Sequence, residues 1–540
     1  MKKILKYSLV LVAASMVGTG CIKETFPTGS TITGQQATES SAGLEAMASA
    51  ISSYSGNANW ASSYPMFYGL PSLMVIRDVF CNDVAAPDTG YDWYSFYANN
   101  DAQTGIYGHM QIIWLIQTKV ASLCNDIIRM YADAEDMNEE TSAYVGAAYA
   151  FRSLMWLDMA RMYEYIPNSY TGALPELAHL TIPYLHENLT EDEARQNPRV
   201  PKEEMAGYII DGCEKAVEMC GSWKWADKTL PDAAVAYAVM ARAYLWIGDY
   251  SNAKAAAQNA LSAGSFSALT EAQWTDTKTG FNSVSSQDSW MMCVRYSSES
   301  SVVKDMDGYC SFTSWMTNES SFGYAGFGPG GAEVMRMCDK QFYDQIPDTD
   351  FRKKSWKAPE GSSLNVPHIA ANGAYLGYEA LPELAAVKFR PGQGEPNDLI
   401  TAQAIDIPLM RMEEMEFIIA ECDARSGNSS TLVNFVKTRN PQYTCNKSGD
   451  DLLREVFLQK RIEFWGEGVM FFDYKRCPEL LRINRGYAGT NHPTLAQFNT
   501  EYGDLAPWFN VCINEYETYE NTAIVNNPDP TGTIDVWDGT

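Results

Sequence analysis

Residues 243–263 read AYLWIGDYSNAKAAAQNALSA, and the spacing of small and aromatic residues in this stretch decides the fold. Ala253, Ala257 and Ala260 recur at steps of four and three, the period of one helix face. Gly248 stands before them, where a tight turn needs a residue that accepts a positive φ. Tyr244 and Tyr250 fill the gap at the bend, and the small residues let two antiparallel helices approach closely. The stretch 233–263 is therefore expected to be a helix–turn–helix. One such unit cannot bury its own apolar face, so neighbours of the same kind are expected.

Ala243, Tyr244, Gly248, Tyr250, Ala253, Ala257 and Ala260 fall at the spacings of a tetratricopeptide unit. A degenerate second unit is visible at 415–440, MEFIIAECDARSGNSSTLVNFVKTRN. Upstream, residues 143–166 place Ala148, Phe151, Met155, Met159 and Met162 on one helix face, with Pro167 as a stop. Between Leu269 and Pro408 the periodicity fails, and Ser, Gly, Tyr, Trp and seven prolines from Pro329 to Pro396 dominate. A long irregular stretch inside a helical protein is commonly functional or disordered, and this many aromatics argue against disorder. The expected fold is mostly α. Tetratricopeptide-like helix pairs form an α-α superhelical scaffold over about 44–268 and 408–480, with a loop-rich ligand-binding insertion over about 269–407.

The chain start has its own logic. Lys2, Lys3 and Lys6 precede an apolar run from Tyr7 to Val17, and Gly18, Thr19 and Gly20 lead into Cys21. This is the three-part layout of a secretory signal. Its apolar run is far shorter than the roughly 20 residues of a spanning helix. The small residues before Cys21 resemble a bacterial lipobox, with Gly18 where Leu is usual. Residues 1–20 are then a signal peptide, Cys21 is the lipidated N-terminus, and 21–43, rich in Thr, Ser, Gly and Gln, is a flexible tether to a domain covering 44–540. Lys23-Glu24 resembles the charged export tag of surface lipoproteins.

The formal charge of −27 argues against nucleic acid, whose binders need a basic patch. Of twelve cysteines, Cys213 and Cys220 are the closest pair; seven positions on a helix are about 10.5 Å, beyond disulfide reach. No C-x-x-C occurs, so most thiols are expected to be small buried hydrophobes.

Four segments in order resemble the SusD/RagB family of outer-membrane nutrient-uptake lipoproteins of Bacteroidetes. They are AYAFRSLMWLDMARMYEYIP (148–167), AVMARAYLWIGDYSNAKAAAQNAL (238–261), IPLMRMEEMEFIIAECDARSGN (407–428) and LQKRIEFWGEGVMFFDYKR (458–476). The last keeps Arg461, Glu463, Glu467, Gly468, Asp473 and Arg476 of the family motif. A weaker fifth match is DTDFRKK, with Asp350 and Arg352. Lys460 and Met470 depart from the usual Glu and Arg. If Arg461 and Glu463 pair with other charges, a partly buried network is expected. The resemblance implies a helical scaffold without catalysis or cofactor. It also implies a SusC-like TonB-dependent transporter as partner, a glycan or in some members a peptide as ligand, and lipid anchoring at the outer membrane.

Sugars present apolar C–H faces rimmed by hydroxyls, so a binder wants exposed aromatic faces beside polar groups. Two stretches qualify. Residues 81–101, CNDVAAPDTGYDWYSFYANND, offer Tyr91, Trp93, Tyr94, Asp88 and Asn99; the later stretch offers Trp290, Tyr296, Trp315 and Tyr324. Each could instead pack the core. GFGPGG (326–331) satisfies G-x-G-x-x-G but lacks a preceding strand. DMDG (305–308) lacks the remaining ligands of a calcium loop. The five histidines are scattered, without a zincin or serine-hydrolase motif. We expect no catalytic residue and no metal. A glycosidase, needing only two carboxylates, and a protein-interaction scaffold are the competing classes.

Overall fold

Ordered helix pairs begin where the sequence places capping residues. The computed structural model describes residues 41–57, 64–86, 92–100, 103–134, 136–172, 174–304, 309–327, 334–364 and 381–539. The chain divides into units 1–46 and 47–540. Of the first, residues 41–46 are described, as helix; the principal helices and all the strands named here belong to the second. Cys21, the signal and residues 21–40 of the tether lie outside the described residues, while 41–43 are helical.

The principal helices are α1 Leu70–Val79, α2 Gly108–Met130, α3 Glu139–Tyr163, α4 Lys202–Cys220, α5 Ala233–Trp246, α6 Tyr250–Ser262, α7 Met412–Arg425, α8 Ser430–Val436, α9 Gly449–Phe464 and α10 Met470–Arg476. Helix α3 packs on α2 and α4, α4 on α5, α5 on α6, α6 on α7, and α7 on α8 and α9. Short polar residues cap three of them. Asn138 accepts the Thr141 amide at 2.8 Å, Asp232 those of Ala234 and Val235, and Asp249 that of Asn252. Gly248, at φ +80°, makes the α5–α6 turn. Gly146 lets α3 meet the end of α4, since a Cβ there would lie 2.7 Å from the Cys220 sulfur. Helix α5 is buried on nearly every side, which is why its apolar residues show little segregation to one face.

Strands β1 Val84–Ala85, β2 Leu180–Pro183, β3 Arg199–Pro201, β4 Trp290–Arg295, β5 Met337–Cys338 and β6 Asp406–Arg411 pair antiparallel as β1–β5, β2–β3 and β4–β6. The last pair runs from Trp290 opposite Arg411 to Arg295 opposite Asp406. It joins the irregular stretch to the strand that leads straight into α7.

The motif charges meet at this junction. Glu463 accepts from Arg439 at 2.9 and 3.0 Å, and from Arg411 and Arg352 at 3.2 Å each. Glu413 takes Arg439 at 3.0 Å and Arg411 at 2.9 Å, and Glu467 takes Arg411 and Lys388 at 2.7 Å. These side chains are essentially shut off from solvent. Burial pushes the Glu463 carboxyl up, but the Arg439 and Arg411 guanidiniums outweigh it and hold the group well below the usual carboxylate range. Arg461 turns to Asp83 at 2.5 and 2.9 Å, tying α9 to the segment before the aromatic surface. Lys460 pairs with Asp473 at 2.8 Å, so the departure from the family motif is absorbed by a local partner. Among the described residues the cysteines stand as thiols, all buried except the half-buried Cys445.

Candidate functional site

The segment after β1 is set by Asp92. Its carboxylate accepts the Tyr94 amide at 2.9 Å, starting the short helix Ser95–Ala98, and takes Arg336 at 2.6 and 2.9 Å. Arg336 is buried, and its guanidinium lies over the rings of Tyr94 and Trp315 at 5.3 and 5.9 Å. A bidentate pair inside the protein thus fixes the relation between the 92–98 segment and the loops that carry Trp315 and Arg336.

On this base sits an aromatic layer. Trp315 is buried, its indole donating to the Pro65 carbonyl at 3.1 Å. Tyr324 stacks on it with centroids 4.2 Å apart and 9° between planes. Tyr309 meets Tyr324 edge-on at 5.6 Å, and the Trp93 indole neighbours the Tyr324 hydroxyl. Tyr64 packs against Trp93 at 5.5 Å. Tyr64 and Tyr309 are each 45% exposed, while Trp93 and Tyr324 are half-buried. His109 closes the floor against Trp93 and Phe96, and burial pulls its imidazole down to about 4, so it is neutral at pH 7.

Tyr64, Trp93, Tyr309 and Tyr324, drawn from three separate stretches of sequence, therefore form one aromatic surface, exposed at Tyr64 and Tyr309 and half-buried at Trp93 and Tyr324. Trp93 and Tyr324 were expected there. Tyr64 and Tyr309 were not, since no periodicity marks a lone tyrosine in a loop; the one available signal is Tyr309's place beside Gly308, just before the Trp315 segment.

Four expected contacts are corrected. Tyr94 is buried with its hydroxyl 2.6 Å from that of Tyr68, and Tyr296 is buried with its hydroxyl donating to the Tyr68 carbonyl at 2.7 Å. Trp290 is buried at the start of β4, and Trp315 is buried beneath Tyr324. Their faces are taken up by protein. Asn99 lines a separate cavity of about 130 Å3 with Asp92, Arg336, Arg485 and His492. Tyr91 and Asp88 lie outside the described residues, as do DMDG and most of GFGPGG. Among the described residues no cluster of His, Cys, Asp and Glu could hold a metal ion, and no helix is long and apolar enough to cross a membrane.

A mostly helical scaffold whose loops present an aromatic surface defines the class: the fold of SusD-like proteins. The SusD family model matches residues 388–535, the segment that holds Glu463 and all of its network except Arg352. Over most of the chain the fold resembles that of a SusD-like carbohydrate binding protein from Bacteroides vulgatus. That structure is 20% identical, with a TM-score of 0.67, covering 89% of this chain and 96% of that one. It likewise resembles a SusD superfamily protein from Bacteroides thetaiotaomicron (17%, TM-score 0.65, 90% and 99%) and surface glycan-binding protein A from Bacteroides uniformis (17%, TM-score 0.63, 91% and 100%). At such identities the shared property is the fold. No curated protein sequence matches the chain. The resemblance read from the sequence holds: the chain has the SusD fold, and its residues 388–535 match the SusD family model.

Proposed function

We propose that this protein is a noncatalytic, cell-surface glycan-binding lipoprotein. It is anchored through Cys21 at the outer membrane, captures a polysaccharide or oligosaccharide and delivers it to a SusC-like TonB-dependent transporter. The observation that carries the binding part is the surface of Tyr64, Trp93, Tyr309 and Tyr324. An exposed aromatic patch on a rigid base marks an interaction site, and ring faces suit the C–H faces of sugars. The names of the similar structures support carbohydrate as the ligand class. Anchoring and transporter delivery rest on the chain start and the family resemblance, and a lipid tether would raise effective concentration beside a pore. The division into signal 1–20, tether 21–43 and binding domain 44–540 is part of this proposal.

The test is calorimetric titration of the purified protein against plant, microbial and host polysaccharides, with peptides alongside, and an assay for released reducing ends. Saturable binding of one glycan class without release is the expected result. Release would make the protein a glycosidase, and binding of peptides alone would make it a peptide-capture protein.

A further inference from the structure

A pocket of about 330 Å3 lies where the loop before α5 meets the end of α6 and strand β4, and it shares no residue with the aromatic surface. This volume is at the lower end for small-molecule sites, about 300–1,000 Å3. Trp225, Phe266 and Met291 supply its apolar part, and Lys224, Lys228 and Asp232 its polar part. Trp225 is held in place: its indole donates to the Pro231 carbonyl at 3.0 Å, and its ring packs on Tyr144 at 4.7 Å and Trp223 at 5.7 Å.

The charges divide unequally. Lys224 and Asp232 form an ion pair at 2.8 Å, and the other oxygen of Asp232 caps α5. Lys228 is half-buried and donates to the Trp290 carbonyl at 2.7 Å, and among the described residues no carboxylate lies within ion-pair distance of it. An ammonium has three donors, so this one can still receive an anion. Its backbone sits at φ +55°, held by the Cys293 amide on the Lys228 carbonyl at 2.9 Å. Such a conformation is uncommon for a residue with a Cβ, and strain of this kind clusters at ligand sites. In a chain of net charge −27, a strained residue places an ammonium without an ion-pair partner 5.8 Å from the centre of the Phe266 ring, in the pocket that Trp225 also lines.

We propose that this pocket binds one acidic sugar residue, a hexuronate or similar monocarboxylated pyranose, with its carboxylate on Lys228 and its C–H face on Trp225. One unpaired cation matches one negative charge. A phosphate dianion would call on Lys224 as well, which Asp232 already neutralises. The Lys224–Asp232 pair supplies a donor and an acceptor for ring hydroxyls. The site is separate from the aromatic surface, so it stands or falls apart from the glycan-capture proposal.

The test titrates the detergent-solubilised full chain with galacturonic acid and trigalacturonic acid, following tryptophan fluorescence. Glucose serves as the neutral sugar and acetate as the bare carboxylate. The uronates are expected to bind saturably, glucose and acetate at least ten-fold more weakly. Calorimetry reads the variants, since Trp225→Leu removes the fluorescent reporter: Lys228→Gln and Trp225→Leu should each weaken uronate binding about ten-fold or more, and Tyr309→Ala should leave it intact. Equal binding of glucose, equal binding of acetate, or unchanged uronate affinity in folded Lys228→Gln or Trp225→Leu overturns the proposal. Trp225→Leu keeps the test decisive should Lys228→Gln fail to fold.

Discussion

Tyr324 lies parallel to Trp315, 4.2 Å between centroids and 9° between planes, one ring half-exposed and the other buried. The buried ring sets the orientation of the exposed one, so the two should respond differently to truncation. Tyr324→Ala and Tyr309→Ala should each lower glycan affinity about ten-fold, measured by calorimetry, with an unchanged melting temperature within a few degrees. Trp315→Ala should cost about 3–5 kcal/mol of stability, as large-to-small changes in a core do, measured by urea denaturation. Unchanged affinity in the Tyr309→Ala/Tyr324→Ala double variant would place the ligand elsewhere.

Glu463 answers three arginines at once. Glu463→Gln should destabilise the chain by about 3–5 kcal/mol, because the guanidiniums stay buried without their counter-charge. Its carboxyl is held below its unfolded value, so this stability is fully present above the unfolded carboxylate pKa and is lost as pH falls through the folded one. Denaturant midpoints taken from pH 7 down to pH 3 should show that loss in the parent and a flatter curve in Glu463→Gln.

Asp78 has the opposite sign. It is buried, and burial pushes its carboxyl up to about 8, although the Gly468 amide at 2.9 Å and the charges of Lys388 and Arg77 pull it down. The folded chain therefore binds the proton more tightly than the unfolded one, and stability falls as pH rises from about 4 to about 8. Asp78→Asn should remove that slope and leave the protein as stable as the parent or more so at pH 8. A slope that persists in the variant would show that Asp78 does not carry it.

Cys21→Ala should move the protein from the membrane to the soluble fraction on cell fractionation, with glycan affinity unchanged. A variant still retained in membranes would defeat lipid anchoring at this residue.

Local chemistry wrote much of the scaffold into the chain. The small residues of 243–263, Gly248 at the turn and the Asp249 cap act within a few residues of one another, so their periodicity announces α5 and α6 directly. The same holds for α7 and α8, where 415–440 carries a helix–turn–helix pattern in degenerate form. The order of motif charges in 458–476 also marks the family without saying what each charge touches. Tertiary structure decided the rest. Arg439, absent from any quoted motif charge, became the closest partner of Glu463 because α8 and α9 both pack on α7. The ligand surface is the clearest case. Trp93, Trp290, Trp315 and Tyr324 are equivalent as letters in irregular sequence, and exposure separates them only when the Asp92–Arg336 pair joins two segments 244 positions apart. Whether an aromatic ring faces a sugar or a neighbouring ring is a property of what packs behind it, and packing between distant segments leaves no periodic trace in the chain.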